Sequence, residues 1–275
     1  MKTFQAGKFT MPLNEKTYIM GILNVTPDSF SDGGRFFSTE KAVEHALEMR
    51  EQGADMIDIG AQSTRPGYTP ISPEQEWERL FPVLRILRGK LDVPVSVDTY
   101  FPQVAQAAVE NGADIINDVH GFSEEGMFKL AARSDCGCII MHPCGAKGNI
   151  LTAINEFFAS KQKEAQANGI AQNRICFDPG IGFGKELEQN YQILANVDQI
   201  KFDGCAFLMA ASRKRVIGAP CGNPPFEERL SGTIAAHTLA IAGGADILRV
   251  HDVAESVQAA RVADAILHAK QERRQ

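Results

Sequence analysis

Eight short apolar runs, at residues 18–25, 56–60, 95–98, 115–119, 138–142, 175–178, 206–211 and 247–250, set the limits on what this chain can fold into. Most are continuous rather than alternating and rich in Ile, Val or Phe, the pattern of parallel strands covered by helices. The stretches between them have helical character. Residues 39–52 place Ala42, Val43, Ala46, Leu47 and Met49 close to a 3.6-residue period. Ser72-Pro73-Glu74-Gln75 reads as an N-cap, a proline in the first helical position and a capping-box glutamine. Pro102 opens a further helix running to about Asn111. No linker or low-complexity tract breaks the alternation, so one domain over 1–275 is expected, of α/β class.

A weak internal repeat sharpens the expectation. Gly53-Ala54-Asp55, Gly112-Ala113-Asp114 and Gly244-Ala245-Asp246 each lie between a helix and a strand, where glycine can adopt the left-handed conformation that ends a helix. Each is followed by an apolar residue (Ile57, Ile116, Leu248) and then a polar one (Asp58, Asn117, Arg249). Because strand side chains alternate, these polar residues suggest a shared inward-facing surface. Eight such units predict a (β/α)8 TIM barrel with its active site at the C-terminal ends of the strands. A doubly wound open sheet is the alternative, since no local pattern encodes closure.

A net charge of −6 gives no general attraction to nucleic acid or an anionic membrane. Residues 1–10 lack the apolar core of a signal peptide, and the longest apolar run, 205–211, is far too short to span a bilayer. A cytoplasmic protein is expected. Six cysteines raise the question of zinc, but Cys136 and Cys138 are separated by one residue and no pair has the two-residue gap that structural zinc favours. Reduced thiols are the better account, with Cys136, Cys176 and Cys205 as small buried hydrophobes.

Chemistry-bearing residues gather at the strand ends. The first run continues into Asn24-Val25-Thr26-Pro27-Asp28-Ser29-Phe30-Ser31-Asp32-Gly33-Gly34, a long loop whose Phe30, Phe36 and Phe37 suit a lid. Later ends carry Asp58 and Ser63-Thr64-Arg65-Pro66-Gly67, then Asp98, Asn117 and Asp178-Pro179-Gly180-Ile181-Gly182-Phe183-Gly184-Lys185. The last two give Ser212-Arg213-Lys214-Arg215 and Arg249-Val250-His251-Asp252. These segments, in this order over residues 20–267, resemble the dihydropteroate synthases.

The resemblance implies a transferase of folate biosynthesis. It would join 6-hydroxymethyl-7,8-dihydropterin diphosphate to 4-aminobenzoate, losing diphosphate to leave a cation that the amine captures. A pterin edge presents adjacent donors and acceptors, which carboxylates and an asparagine amide can match. Asp98, Asn117 and Asp178 are the matching residues, and the resemblance assigns them, with Lys214 and Met141, to the pterin. It gives the diphosphate to Asn24, Arg65, Arg249 and His251, and 4-aminobenzoate to Thr64, Arg65, Pro66, Phe183 and Lys214. Asp98, Lys214 and Asn24 are the implied catalytic residues, Asp98 through electrostatic stabilisation of the cation. Mg²⁺ near Asn24 is implied, held largely by phosphate and water because no carboxylate cage is evident. A homodimer through late helices is implied too. On this assignment Arg249→Ala weakens a diphosphate-bearing ligand more than a plain pterin.

Three departures from the family stand out: Ala61-Gln62 where Gly-Glu is usual, a short connection at 142–149, and Arg215 after Lys214. Competing readings are a methyltetrahydrofolate-dependent corrinoid methyltransferase, a Schiff-base aldolase using Lys214, and a pterin-binding protein without turnover. Arg249-Val250-His251 and the Lys214 segment argue against the first. The glycines of 180–184 lack the dinucleotide pattern. His268 and the residues after Ala269 read as a solvated, dispensable helix end.

Overall fold

A computed structural model describes residues 2–26, 34–62 and 69–272 and, among them, ten strands and ten α-helices. The strands are β1 (Thr3–Ala6), β2 (Phe9–Pro12), β3 (Tyr18–Asn24), β4 (Met56–Gly60), β5 (Val95–Asp98), β6 (Ile115–Asp118), β7 (Gly137–Met141), β8 (Ile175–Asp178), β9 (Ala206–Met209) and β10 (Ile247–Val250). The helices are α1 (Gly34–Glu51), α2 (Pro73–Leu87), α3 (Pro102–Glu110), α4 (Met127–Ala132), α5 (Ile150–Ala167), α6 (Leu187–Ala195), α7 (Val197–Ile200), α8 (Arg215–Gly218), α9 (Leu230–Ala242) and α10 (Val253–Glu272). β3 to β10 pair in chain order and β10 returns to β3, so the parallel sheet closes. Closure decides for the TIM barrel and against the open sheet.

Strand parity divides the core in two. Ile57, Ile59, Val97, Ile116, Ile140, Phe177, Phe207 and Leu248 face the helices. Met20, Met56, Ile115, Ile139, Cys176, Leu208 and Ile247 fill the barrel interior. At α2, Ser72 Oγ accepts the Gln75 N–H while Gln75 Oε1 accepts the Ser72 N–H, closing the capping box. Pro102 begins α3 as expected. α1 begins at Gly34, so positions 36 and 37 lie at the start of a helix rather than in the loop; no proline between 34 and 39 interrupts the turn. The remainder of that loop, 27–33, lies outside the described residues.

The repeated Gly-Ala-Asp has a physical role at the N-terminal face. Gly53, Gly112 and Gly244 have φ of +102°, +101° and +97°, the left-handed helix ends anticipated. Each aspartate then accepts a backbone N–H from the preceding strand: Asp55 from Ile19 at 3.0 Å, Asp114 from Val95 at 3.0 Å, and Asp246 from Phe207 at 2.9 Å. Lys2 pairs with Asp246 at 2.9 Å and Lys16 with Asp55 at 2.5 Å.

The β1–β2 hairpin, which the sequence reading passed over, plugs this end. Phe4, Ala6, Met11 and Leu13 join the interior cluster. A Cβ at Gly137 would approach the Phe4 ring to 2.8 Å, so the first residue of β7 is glycine to admit the plug. Phe4→Ala is expected to cost about 3–5 kcal/mol, read as a lower urea midpoint. An unchanged midpoint would deny the hairpin a part in the core.

Candidate active site

At the C-terminal end the inward positions turn from apolar to polar. The register sets Asp58 opposite Ser96 and Asp98 opposite Asn117, with Met141 opposite Asp178. The Cβ position of Gly60 lies 3.7 Å from Asn24 Oδ1 and 3.6 Å from Asp98 Cβ, so Asn24 and Asp98 face one gap. β10 brings Arg249 into the same layer, paired in register with Met20.

Asp58, fully buried, is the hub of this layer. It accepts hydrogen bonds from Ser96 Oγ at 2.5 Å, Asn117 Nδ2 at 3.1 Å and Arg249 Nε at 2.7 Å. Arg249 Nη2 donates to Asp98 Oδ2 at 3.1 Å. One guanidinium therefore serves two carboxylates and helps to offset the cost of burying them. Burial, and then the Asp58 charge, push Asp98 above the usual carboxylate range, with Arg249 opposing. The expected anion-binding Arg249 thus has its guanidinium on the floor of the pocket. Arg249→Ala should weaken plain pterin binding as well, which alters the selective loss anticipated from sequence.

Across the pocket, Asp178 Oδ1 accepts the Gly180 N–H at 2.7 Å. Burial raises the Asp178 pKa and nearby Lys214 opposes it. Burial draws Lys214 down to about 8, with Asp178 and Asp98 opposing and Arg249 reinforcing the fall. Lys214 Nζ donates to Ile181 O at 2.7 Å and stands 4.9 Å from the Phe183 ring centroid, a cation–π contact. Lys185, to which the sequence reading gave no role, fixes the same loop. Its Nζ donates to His142 O at 2.9 Å and Phe183 O at 3.3 Å, and burial lowers it to about 8.

An apolar wall of Tyr100, Val119 and Met141, with Phe101 and Phe183 against it, closes one side. Tyr100 stacks on His120 at 3.8 Å. The Gln62 departure falls here: Nε2 donates to Tyr100 Oη at 2.7 Å while Oε1 accepts the Ile71 N–H at 2.7 Å. That pairing uses both a donor and an acceptor on one side chain, which an ionised glutamate lacks. At the rim, His251 Nδ1 lies 2.9 Å from Ser212 Oγ. Thr64, Arg65 and Pro66 lie outside the described residues.

The structure therefore brings Asn24, Asp98, Asn117, Met141, Asp178, Phe183, Lys214, Arg249 and His251 to one barrel mouth. Sequence reasoning left Asp58, Ser96, Tyr100, Lys185 and Ser212 out of the site. For Asp58 a signal existed, because it shares the repeat position of Asn117 and Arg249.

A parallel barrel with a polar floor, an aromatic wall and cations at its mouth defines an enzyme-type pocket for a flat polar heterocycle. Residues 20–251 match the sequence model of the pterin binding enzyme family. The chain is 44% identical over 267 residues to the dihydropteroate synthase of Clostridium beijerinckii, covering 95% of this chain and 98% of that protein. The dihydropteroate synthase of Xanthomonas albilineans, solved with 4-aminobenzoic acid, superposes with a TM-score of 0.92 at 39% identity, covering 97% of this chain and 98% of that one. The enzyme of Burkholderia cenocepacia, complexed with 7,8-dihydropteroate, gives 0.90 at 36% identity, covering 98% of each chain. This chain belongs to the pterin binding enzyme family, among the dihydropteroate synthases.

Proposed function

We infer that the chain condenses 6-hydroxymethyl-7,8-dihydropterin diphosphate with 4-aminobenzoate, giving 7,8-dihydropteroate and diphosphate in folate biosynthesis. The observation that carries this reading is the convergence of Asp98, Asn117, Asp178, Lys214 and Arg249 on one pocket. Asn117 and Asp178 match the amino-pyrimidinone edge of the pterin, and Met141 packs against the ring. The methylene C–O bond breaks with its electron pair leaving on diphosphate. Asp98 in its ionised form, which Arg249 favours and burial opposes, stabilises the delocalised cation. The amine lone pair of 4-aminobenzoate then forms the C–N bond and the nitrogen releases a proton.

Phe183 and Lys214 frame the aromatic acid, joined by Thr64, Arg65 and Pro66 from the second loop. Asn24 and His251 face the leaving group. Incubating the protein with both substrates and Mg²⁺ should yield dihydropteroate. Pterin binding without product would select the non-catalytic reading.

Mg²⁺ is part of the proposal. Among the described residues no group of three His, Cys, Asp or Glu could hold a metal. Asn24 offers a hard amide oxygen, which fits an ion carried mainly by phosphate oxygens and water. Bound there, the ion would neutralise charge on the departing diphosphate. Calorimetry should find Mg²⁺ binding only when inorganic pyrophosphate is present.

The pH dependence follows from Lys214. Its charged form is present below about 8 and lost as pH rises through that value. We expect kcat/KM to fall across that range, and Lys214→Arg to move the alkaline limb upward because guanidinium stays charged. An unshifted limb would assign it to another group.

The proposed state is a homodimer in the cytoplasm. Leu239 on α9 and Val262 and Ile266 on α10 are large apolar residues exposed by 67%, 56% and 64%, on two helices that pack together. A second copy would cover them. Sedimentation should report a dimer that Ile266→Glu dissociates. No helix among the described residues is long and apolar enough to cross a membrane.

A further inference from the structure

Ser212, in the loop after β9, is only 2% exposed, so its hydroxyl needs partners within the protein. Its Oγ accepts the backbone N–H of His251 at 3.2 Å and lies 2.9 Å from Nδ1 of the same residue. With one lone pair taken by the backbone N–H, the hydroxyl still has a proton to place. Among the described residues, His251 Nδ1 is the acceptor in reach. A hydroxyl donating to Nδ1 requires a lone pair there, and the proton of a neutral imidazole then resides on Nε2.

We propose that Ser212 is a positioning residue that fixes His251 as the Nε2–H tautomer, so that the ring offers a donor and not a lone pair to a diphosphate oxygen at the barrel mouth. The opposite tautomer would direct an acceptor at the anion. This rests on the reading of the mouth as a diphosphate site.

The surroundings hold this arrangement from both sides. Phe226 meets the His251 ring edge-on at 5.0 Å, and the Arg213 guanidinium covers Phe226 at 5.2 Å. Arg213 also grips Asp252 with two hydrogen bonds, Nε to Oδ2 at 2.9 Å and Nη2 to Oδ1. Ser212–His251 and Arg213–Asp252 are thus successive rungs between the loops after β9 and β10. Arg213 has a φ of +56°, an uncommon conformation for a residue with a Cβ. Thr233 Oγ1, accepting its N–H at 2.9 Å, and Arg229 Nη1, donating to its carbonyl at 3.0 Å, hold it there.

The test is ¹⁵N NMR of imidazole-labelled protein at a pH where His251 is neutral, with His251→Asn to assign its signals. Wild type should show an unprotonated Nδ1 and a protonated Nε2. Ser212→Ala should mix the tautomers and weaken binding of inorganic pyrophosphate about tenfold, a loss of about 1.4 kcal/mol, leaving plain pterin binding unchanged. Ser212→Thr, which keeps the hydroxyl, should restore both readouts. A proton on Nδ1 in wild type, or an unaltered tautomer in Ser212→Ala, overturns the proposal. Pyrophosphate that binds wild type and His251→Asn equally, with the tautomer as described, instead overturns the diphosphate reading and the functional half of the proposal with it.

Discussion

Lys214→Ala is expected to lower kcat/KM for condensation by about a hundredfold or more, with no loss of thermal stability. Lys214 is the cation beside Asp178 and over Phe183, so its removal takes charge from the pterin pocket and from the aromatic-acid wall together. The stability half follows from the sign of its pKa. The folded pocket pulls the ammonium from 10.5 down to about 8, chiefly by burial. Folding at neutral pH therefore works against the charged lysine, and this penalty fades as pH rises through about 8 toward its unfolded value. An alanine escapes it. Steady-state kinetics beside a melting curve separate the two effects. Activity within a few-fold of wild type would remove Lys214 from the mechanism, and a large fall in Tm would make it a structural residue.

Asp58→Ala should instead damage both fold and site, by about 3–5 kcal/mol. Its carboxylate is fully buried and supplies the acceptor for Arg249 Nε, Asn117 Nδ2 and Ser96 Oγ. Without it three buried donors lose a partner, and Arg249 is left to Asp98 alone. Asp58→Asn keeps an acceptor oxygen but removes the charge, so a smaller loss is expected. Urea midpoints and the Kd for a plain pterin should worsen together in both variants. A stable Asp58→Ala with unchanged pterin affinity would mean that the hub is incidental.

How much of this was legible in sequence depended on how local the signal was. Continuous runs such as 95–98 and 175–178 encode buried parallel strands because both faces are covered, and Ser72-Pro73 and Pro102 mark helix starts through backbone chemistry. The β1–β2 hairpin also carried a signal, with Phe4, Ala6, Phe9 and Met11 alternating around Gly7-Lys8. It was missed because so short a pair has no obvious surface to cover until the barrel closes beneath it. The repeat anticipated an inward surface at Asp58, Asn117 and Arg249, and these three are joined by hydrogen bonds. That Arg249 would lie on Asp58 and Asp98 was not legible, since the contacts span 191 and 151 positions. Lys185 and Ser212 were equally opaque: each acts through a partner that the closed barrel brings alongside.

The most direct measurement is a crystal structure of this chain soaked with the pterin diphosphate. The pterin edge should lie on Asn117 and Asp178, its ring beside Asp98 and Lys214, and its diphosphate toward Asn24 and His251. Density for the pterin elsewhere, such as the cleft of about 410 Å³ near Lys16, Lys201 and Asp264 at the opposite end of the barrel, would contradict the account.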